Sequence, residues 1–409
     1  MSTSNRPIIL LPALVVAQFA GTSLWFAGNA ILPDIQVAWS LPEGALGWVT
    51  SAVQLGFITG TLLSAIFTLA DRVSAPRLFF AASVMGALMN IGPLLTEGLW
   101  PLLAFRFLTG VALAGIYPVG MKLAASWYRE GLGSALGWLV GALVLGTASP
   151  HLVRALGDGL LEWQAVLGIV SALALSGGAL VLMVVGEGTM TSRSSAGFNP
   201  RALGALARVP RFRAAALGYF GHMWELYAFW AFVPAILASY AARQHVELPV
   251  SWAAFAVIAS GALGCIIGGR VALGVGSARV AAMQVLASGA LALTAPLWSM
   301  LPTPLFLLVL LVWGVFVVGD SPQFSTLNAL TAPRELVGSG LTIVTSIGFG
   351  VTIASIELIS QLARNFDILW LLPVMAVGPV VSLIAMRTLV ADDPSRARSS
   401  DRAASRASD

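Results

Sequence analysis

Residues 110–118 read GVALAGIYP and residues 314–322 read GVFVVGDSP. Both follow G-V-x-x-x-G-x-x-P, with Gly314 standing against Gly110 at an offset of 204. Just beyond, REGLGS (129–134) answers RELVGS (334–339) at an offset of 205. Two matches at nearly one offset mark a chain built from two related halves, the plan of a membrane transporter with its site between the repeats.

The composition agrees. Of 409 residues, 58% are hydrophobic and only 10% charged, where soluble domains carry about 25% charged residues; mean hydropathy is +0.88. The apolar residues gather into runs long enough for a helix to cross about 30 Å of hydrocarbon. Hydropathy places spans near 8–32, 46–70, 77–97, 100–128, 134–154 and 163–186, then 213–240, 250–273, 279–300, 303–328, 338–362 and 367–390. The reading is an all-α membrane protein with residues 1–186 as an N-terminal six-helix bundle and 213–390 as a C-terminal one. Residues 187–212, rich in Ser, Gly, Pro and Arg, read as a cytoplasmic linker, and 391–409 as a disordered tail, since its sequence has no aliphatic side chain larger than alanine.

Even-numbered loops and both termini hold 18 of the 22 Lys and Arg, the other loops only Arg154, Arg243 and Arg364. By the positive-inside rule both termini are expected in the cytoplasm. The N-terminus MSTSNRPIIL is too short and polar for a signal sequence, so the first apolar run reads as an uncleaved span. The pI of about 9.7 then reflects membrane topology rather than a nucleic-acid-binding face. A single cysteine, Cys265, excludes a disulfide framework, and no cysteine–histidine cluster suits zinc. Heavy use of arginine with one lysine, Lys122, suggests a GC-rich bacterial genome and hence a bacterial inner membrane.

Over residues 8–390 the chain resembles the major facilitator superfamily. LADRVSAPR (69–77) is similar to that family's loop motif after span two, keeping Leu69, Asp71, Arg72 and Arg77 but not its glycines; GRVALGVGSAR (269–279) after span eight keeps Gly269, Gly276 and Arg279 but has Leu273 in place of the acid. The resemblance implies that Asp71, Arg72 and Arg77 latch the cytoplasmic face when the outer face is open. RFLTGVALAGIYP in span four is similar to the family motif in which an arginine precedes a glycine-rich helix face, which makes Arg106 a buried, functional arginine. It stands about 9 Å into its span, where an unpaired arginine costs at least ~2.5 kcal/mol. GWLVGALVLGTASP (137–150) lacks the Gly-Pro pair common in drug exporters of the family, and no arginine in span two is available for nitrate.

The resemblance also implies that spans one, four, seven and ten line a central cavity. Span seven contains GYFGHMWELYAFWAF (218–232), in which His222 and Glu225, three apart, share a helix face. A carboxylate is disfavoured in hydrocarbon unless paired, so such an acid can load and release a proton. Span ten adds Asp320, two residues before Pro322, which frees backbone groups that a wet cavity satisfies and lipid does not. Glu225, Asp320 and His222 are therefore expected to form a proton or substrate site, with Arg106 serving the other half. In the competing reading Glu225 makes a fixed bond to His222 and Asp320 caps the broken helix. Asn29, Tyr117, Tyr227 and Trp25 are further candidates for the substrate site, while Trp224 and Trp230 are weaker ones and Glu357 reads as hydrated near the outer surface.

The expected function is secondary active transport of a small organic solute by alternating access, coupled to protons, in a monomer whose partners are solute, protons and lipid, with no cofactor and no nucleic acid. Uniport or organic-anion exchange through Arg106 is the alternative. A transceptor or intramembrane enzyme is a more distant one, because His151 and His245 are expected at outer loops, apart from His222, and the sequence offers no nucleophile or metal cluster. The chain has no phosphate-binding glycine loop ending in Lys-Ser or Lys-Thr to bind ATP.

Overall fold

The computed structural model describes residues 7–128, 132–157, 161–188 and 202–391, with Ala70, Asp71 and Leu132 described by backbone alone. The described residues hold twelve helices long and apolar enough to cross a membrane: α1 (Leu10–Ala38), α2 (Ala45–Ile66), α3 (Ala75–Leu95), α4 (Leu99–Trp127), α5 (Gly133–Leu156), α6 (Trp163–Val185), α7 (Pro210–Gln244), α8 (Val250–Val275), α9 (Ser277–Met300), α10 (Thr303–Thr331), α11 (Arg334–Leu362) and α12 (Ile368–Ala391). They match the twelve apolar runs of the sequence one for one. Residues 189–201, half of the expected linker, and 392–409, nearly all of the expected tail, lie outside the described residues. The remainder of the linker interval is not featureless: Ala202–Ala207 is helical, and Ala202 and Leu206, one turn apart, pack with Phe212, Ala216 and Val344.

The two halves repeat each other contact for contact. In the first, α2 packs on α4, α3 on α4 and α6, and α1 on α5 and α6; in the second, α8 packs on α10, α9 on α10 and α12, and α7 on α11 and α12. The offset of 204 holds at the level of atoms. A Cβ on Gly110 would lie 2.1 Å from the carbonyl oxygen of Val53, and one on Gly314 would lie 2.1 Å from that of Val257. Gly60 faces the oxygen of Val111, and Gly264 that of Val315. Where Gly56 meets the oxygen of Phe107, Ser260 occupies the equivalent place and donates to the oxygen of Leu311 at 2.9 Å. The glycines thus let backbones touch, the means by which helices associate where no hydrophobic force separates protein from lipid.

The repeated Pro118 and Pro322 also break their helices at equivalent points. α4 is two segments, Leu99–Leu113 and Tyr117–Trp127, and α10 is Thr303–Gly319 followed by Ser321–Thr331. α1 breaks as well, between Thr22 and Ala27, whereas α7 runs through its Pro234.

The halves meet along two seams, α2 with α11 and α5 with α8. Consecutive spans reverse direction, so the loops after odd-numbered spans share one face and those after even-numbered spans the other. Near the odd-loop face the first seam is tight: a Cβ on Gly47 would lie 2.8 Å from Ser360 Oγ, and Ser51 Oγ donates to Glu357 Oε1 at 2.7 Å. Glu357, expected to be hydrated near this face, is half-buried there and reaches across to the other half. Towards the even-loop face the second seam opens, and Gly133, Gly137, Gly269 and Gly274 have no atom near a would-be Cβ.

On the odd-loop face Asp367 caps α12 by accepting from the Leu369 N–H at 2.9 Å, and also accepts from Ser239 Oγ and, at 2.9 Å, from Arg243 Nε. Partial burial opposes its charge, but these donors prevail and hold its carboxyl below the usual carboxylate range.

Two outcomes are expected. Gly264→Leu drives a side chain into a backbone oxygen that cannot yield, a cost of about 3 kcal/mol or more, and is expected to lower the melting temperature sharply; Gly137→Leu, facing open space, is expected to leave it nearly unchanged. Equal melting points for the two variants would contradict the packing described. For Asp367, a depressed carboxyl contributes stability that is present above its unfolded value of about 3.9 and lost as pH falls through the folded value. Asp367→Asn should therefore destabilise by about 1 kcal/mol at pH 7, with the deficit shrinking as pH falls below about 3.9; a deficit as large at pH 3 as at pH 7 would count against the assignment.

Candidate functional site

A cavity of about 80 Å³ lies between the halves, bounded by α4, α5, α7, α10 and α11. On α7 its wall is Tyr219, Met223, Leu226, Tyr227 and Trp230, a stripe at helical spacing. Tyr117, the first residue after the break in α4, faces it from the first half, and Ser321, Ser325 and Asn328 face it from the segment of α10 after its own break. Asn328 and Leu341, also in the wall, stand about one and two turns from the even-loop ends of α10 and α11. The cavity therefore runs towards the even-loop face.

Its other end is sealed by aromatic rings from both halves. Trp25 lies 4.9 Å from Phe57, 5.7 Å from Tyr227 and 5.6 Å from Phe349, centroid to centroid, and Phe57 lies 4.5 Å from Phe349. Tyr227 and Phe26 pack against Trp230 at 5.2 and 6.1 Å. Beyond this layer comes the tight part of the α2–α11 seam. A barrier several rings thick thus separates the cavity from the odd-loop face.

The structure does not bring Arg106, Glu225 and Asp320 into this cavity. Arg106 is buried inside the first half, where Nη2 donates to the carbonyl oxygens of Leu24 (3.0 Å) and Trp25, and Nη1 donates to Asn90 Oδ1 at 3.3 Å. Its charge is spent on the backbone that the break in α1 sets free. Gly28 permits this, since a Cβ there would come within 2.9 Å of the Arg106 side chain. Asn90 in turn donates to Ser171 Oγ at 3.0 Å, tying α3 to α6.

Glu225 is sealed inside the second half. Its Oε1 accepts from Ser288 Oγ at 2.7 Å and from Trp313 Nε1 at 2.9 Å, joining α7, α9 and α10. It is not bonded to His222, so neither the shared site nor the fixed His222–Glu225 bond describes the structure. His222 turns to α10: Nδ1 lies 2.9 Å from Asp320 Oδ1 and Nε2 2.9 Å from Ser321 Oγ. The Nδ1–Oδ1 contact has ion-pair length but misses hydrogen-bond alignment, leaving Oδ1 without an aligned donor among the described residues. Asp320 lies at the junction of the two α10 segments, but its side chain makes no cap hydrogen bond there. Because Ser321 is in the cavity wall, this pair stands one residue behind it.

Among the other candidates, Tyr117 and Tyr227 line the cavity and Trp25 roofs it, its Nε1 donating to Gln54 Oε1 at 3.1 Å. Asn29 is buried between α1 and α2, donating to Thr50 Oγ1 at 2.7 Å, and does not line the cavity. Trp224 donates to the Val374 oxygen. Arg72 and Arg77 are exposed, and the side chain of Asp71 lies outside the described residues. Tyr219, Ser321, Ser325, Asn328 and Thr345 were not singled out by sequence. The spacing 219, 223, 226, 230 on α7 carries that information, whereas His222 lies beside that stripe, against α10, and Glu225 turns further round the helix to α9 and α10.

The sequence matches the family described as Major Facilitator Superfamily over residues 14–356. It is 29% identical over 163 residues to the niacin transporter NiaP of Acinetobacter baylyi, covering 34% of this chain and 36% of that protein. It is 28% identical over 193 residues to an uncharacterized MFS-type transporter of Yersinia pestis, covering 43% and 46%, and 27% identical over 200 residues to the MFS-type transporter YcaD of Salmonella heidelberg, covering 48% and 50%. These alignments span about a third to a half of the relatives' own length. With a family match across most of its length, twelve helices among the described residues long and apolar enough to span a membrane, and two halves that share one packing plan, the chain belongs to the Major Facilitator Superfamily.

Proposed function

We propose that this protein is a secondary active transporter that moves a small organic solute by alternating access, driven by protons taken up at the His222–Asp320 pair. The observation that carries the reading is the link His222 makes between a buried acid and the cavity wall, through Ser321. A proton gained or lost by the pair changes which group His222 Nε2 can serve, as donor or acceptor, and so alters the hydrogen bonding of a wall residue at the break of α10. Two discrete bonding states at a helix break are what a rocking mechanism needs at its pivot.

The arginine-rich even-numbered loops support a cytoplasmic even-loop face, and with it cytoplasmic termini in a bacterial inner membrane. On that orientation the conformation is closed to the outside by the aromatic layer and turned towards the cytoplasm. The transporter names of the relatives support transport rather than catalysis, and the monomer reading rests on a cavity that one chain encloses by itself. Exchange of anions through Arg106 is disfavoured, because that guanidinium is engaged by backbone carbonyls away from the cavity. Glu225 is assigned a structural tie.

The test uses proteoliposomes and a solute returned by a thermal-stabilisation screen of the purified protein. Asp320→Asn should lose pH-gradient-driven accumulation at least about tenfold while retaining solute counterflow, which needs no net proton movement. Glu225→Gln, whose amide oxygen still accepts from Ser288 and Trp313, should keep both activities. Gradient-driven accumulation by Asp320→Asn at the wild-type rate would refute the proton site, and loss of coupling in Glu225→Gln alone would move it to Glu225.

A further inference from the structure

The wall of the cavity carries no charge. Among its described residues there is no Asp, Glu, Lys, Arg or His; the polar groups are tyrosine phenols, hydroxyls, an indole and an amide. The two acids nearest in sequence stand behind the wall, Asp320 facing His222 and Glu225 held by Ser288 and Trp313. Aromatic faces from Tyr117, Tyr219, Tyr227, Trp230 and Phe349 make up much of what remains.

Two buried polar atoms of the wall have no hydrogen-bond partner among the described residues. Trp230 Nε1, at the roofed end, donates to no group among the described residues, and the indole is fully buried. Asn328 Oδ1, at the mouth, accepts nothing, although its Nδ2 donates to the Phe324 oxygen at 2.9 Å. Each is left for water or a solute to satisfy, and a buried group left unsatisfied is unfavourable.

This arrangement sorts solutes by charge. An anion entering the cavity sheds water and finds no cation in the wall. A cation gains from the ring faces, but cation–π attraction falls short of the hydration it gives up when no carboxylate meets it. A neutral planar ring loses little hydration, stacks on the aromatic wall and can offer an acceptor to the free indole N–H. At about 80 Å³ the cavity is contracted below the size of the drug-sized pockets of other proteins, roughly 300 Å³ and up; it defines the chemistry of the wall rather than the largest guest.

Resting on the transporter reading above, we propose that the solute is an uncharged aromatic molecule bearing a hydrogen-bond acceptor, held by ring stacking and by the Trp230 N–H. The relative named as a niacin transporter takes its name from an aromatic carboxylate. The present chain is assigned the neutral counterpart of that chemistry.

The test compares solutes that share a ring and differ in charge: nicotinamide, nicotinate and 1-methylnicotinamide, and indole-3-acetamide, indole-3-acetate and tryptamine. Binding to the purified full-length protein is read by thermal stabilisation. The neutral amides should bind at least about tenfold more tightly than their charged partners. Trp230→Phe keeps a ring but removes the N–H, and should weaken amide binding about tenfold. Ser325→Arg, at an exposed wall position, should reverse the order in favour of the carboxylates. The proposal is overturned if a charged member binds as tightly as its amide, if no member binds, or if Trp230→Phe leaves amide affinity unchanged. Counterflow of a bound amide in proteoliposomes separates the two readings: binding without counterflow sinks the transporter reading and leaves the solute class standing, whereas counterflow of a charged member does the reverse.

Discussion

A helix that breaks inside hydrocarbon frees carbonyl oxygens that lipid cannot satisfy, and Arg106 answers that constraint for α1. Its guanidinium spans from α4 to the oxygens of Leu24 and Trp25 and onward to Asn90. The brace fixes where Trp25 sits, and Trp25 touches Phe57 of its own half and Tyr227 and Phe349 of the other. A charge buried in the first half thereby holds the roof of a cavity whose floor and walls come mostly from the second. The arginine that reads as a ligand for a substrate is, in the structure, the reason the cavity has a lid.

The scaffold is symmetric and its chemistry is not. The glycine contacts of α2 with α4 recur in α8 with α10 at a constant offset, so the two halves share one packing solution. At the same offset Arg106 corresponds to Leu310, and Ile116 to Asp320. Each half thus breaks a helix at the same place but fills the break differently, the first with apolar packing and the second with an acid facing histidine. Duplication supplies the hinge plan, and divergence places a buried acid and histidine on one side only. That division suits a machine in which two similar bodies must move symmetrically around an asymmetric cargo.

Much of this was legible before any coordinates. Spans were readable because hydrocarbon thickness sets their length and forbids charge. The break in α10 was readable because Pro322 removes a backbone donor, and the repeat places Pro118 at the equivalent point of α4. The break in α1 was not, for SLWF at 23–26 has neither proline nor glycine; it depends on an arginine 81 residues away from Trp25. Nor was the partner of Glu357, since Ser51 stands 306 positions off in the other half. On α7 attention to titratable residues passed over the face that lines the cavity. His222 and Glu225 do share a side of the helix, but that side packs against α9 and α10, while the uncharged stripe beginning at Tyr219 meets the cavity.

The central claim is that the two halves are closed at the odd-loop end, along the α2–α11 seam, and part at the even-loop end, along the α5–α8 seam. Spin labels at Glu43 and Arg364 report the odd-loop end of the α2–α11 seam, and labels at Phe67 and Glu335 its even-loop end; all four positions are exposed, and the one native cysteine, Cys265, is buried. Distances measured by pulsed electron resonance in lipid nanodiscs, with and without a solute that binds, should change in opposite senses, the first pair lengthening as the second shortens. Distances that stay fixed, or that lengthen together, would contradict alternating access about this seam.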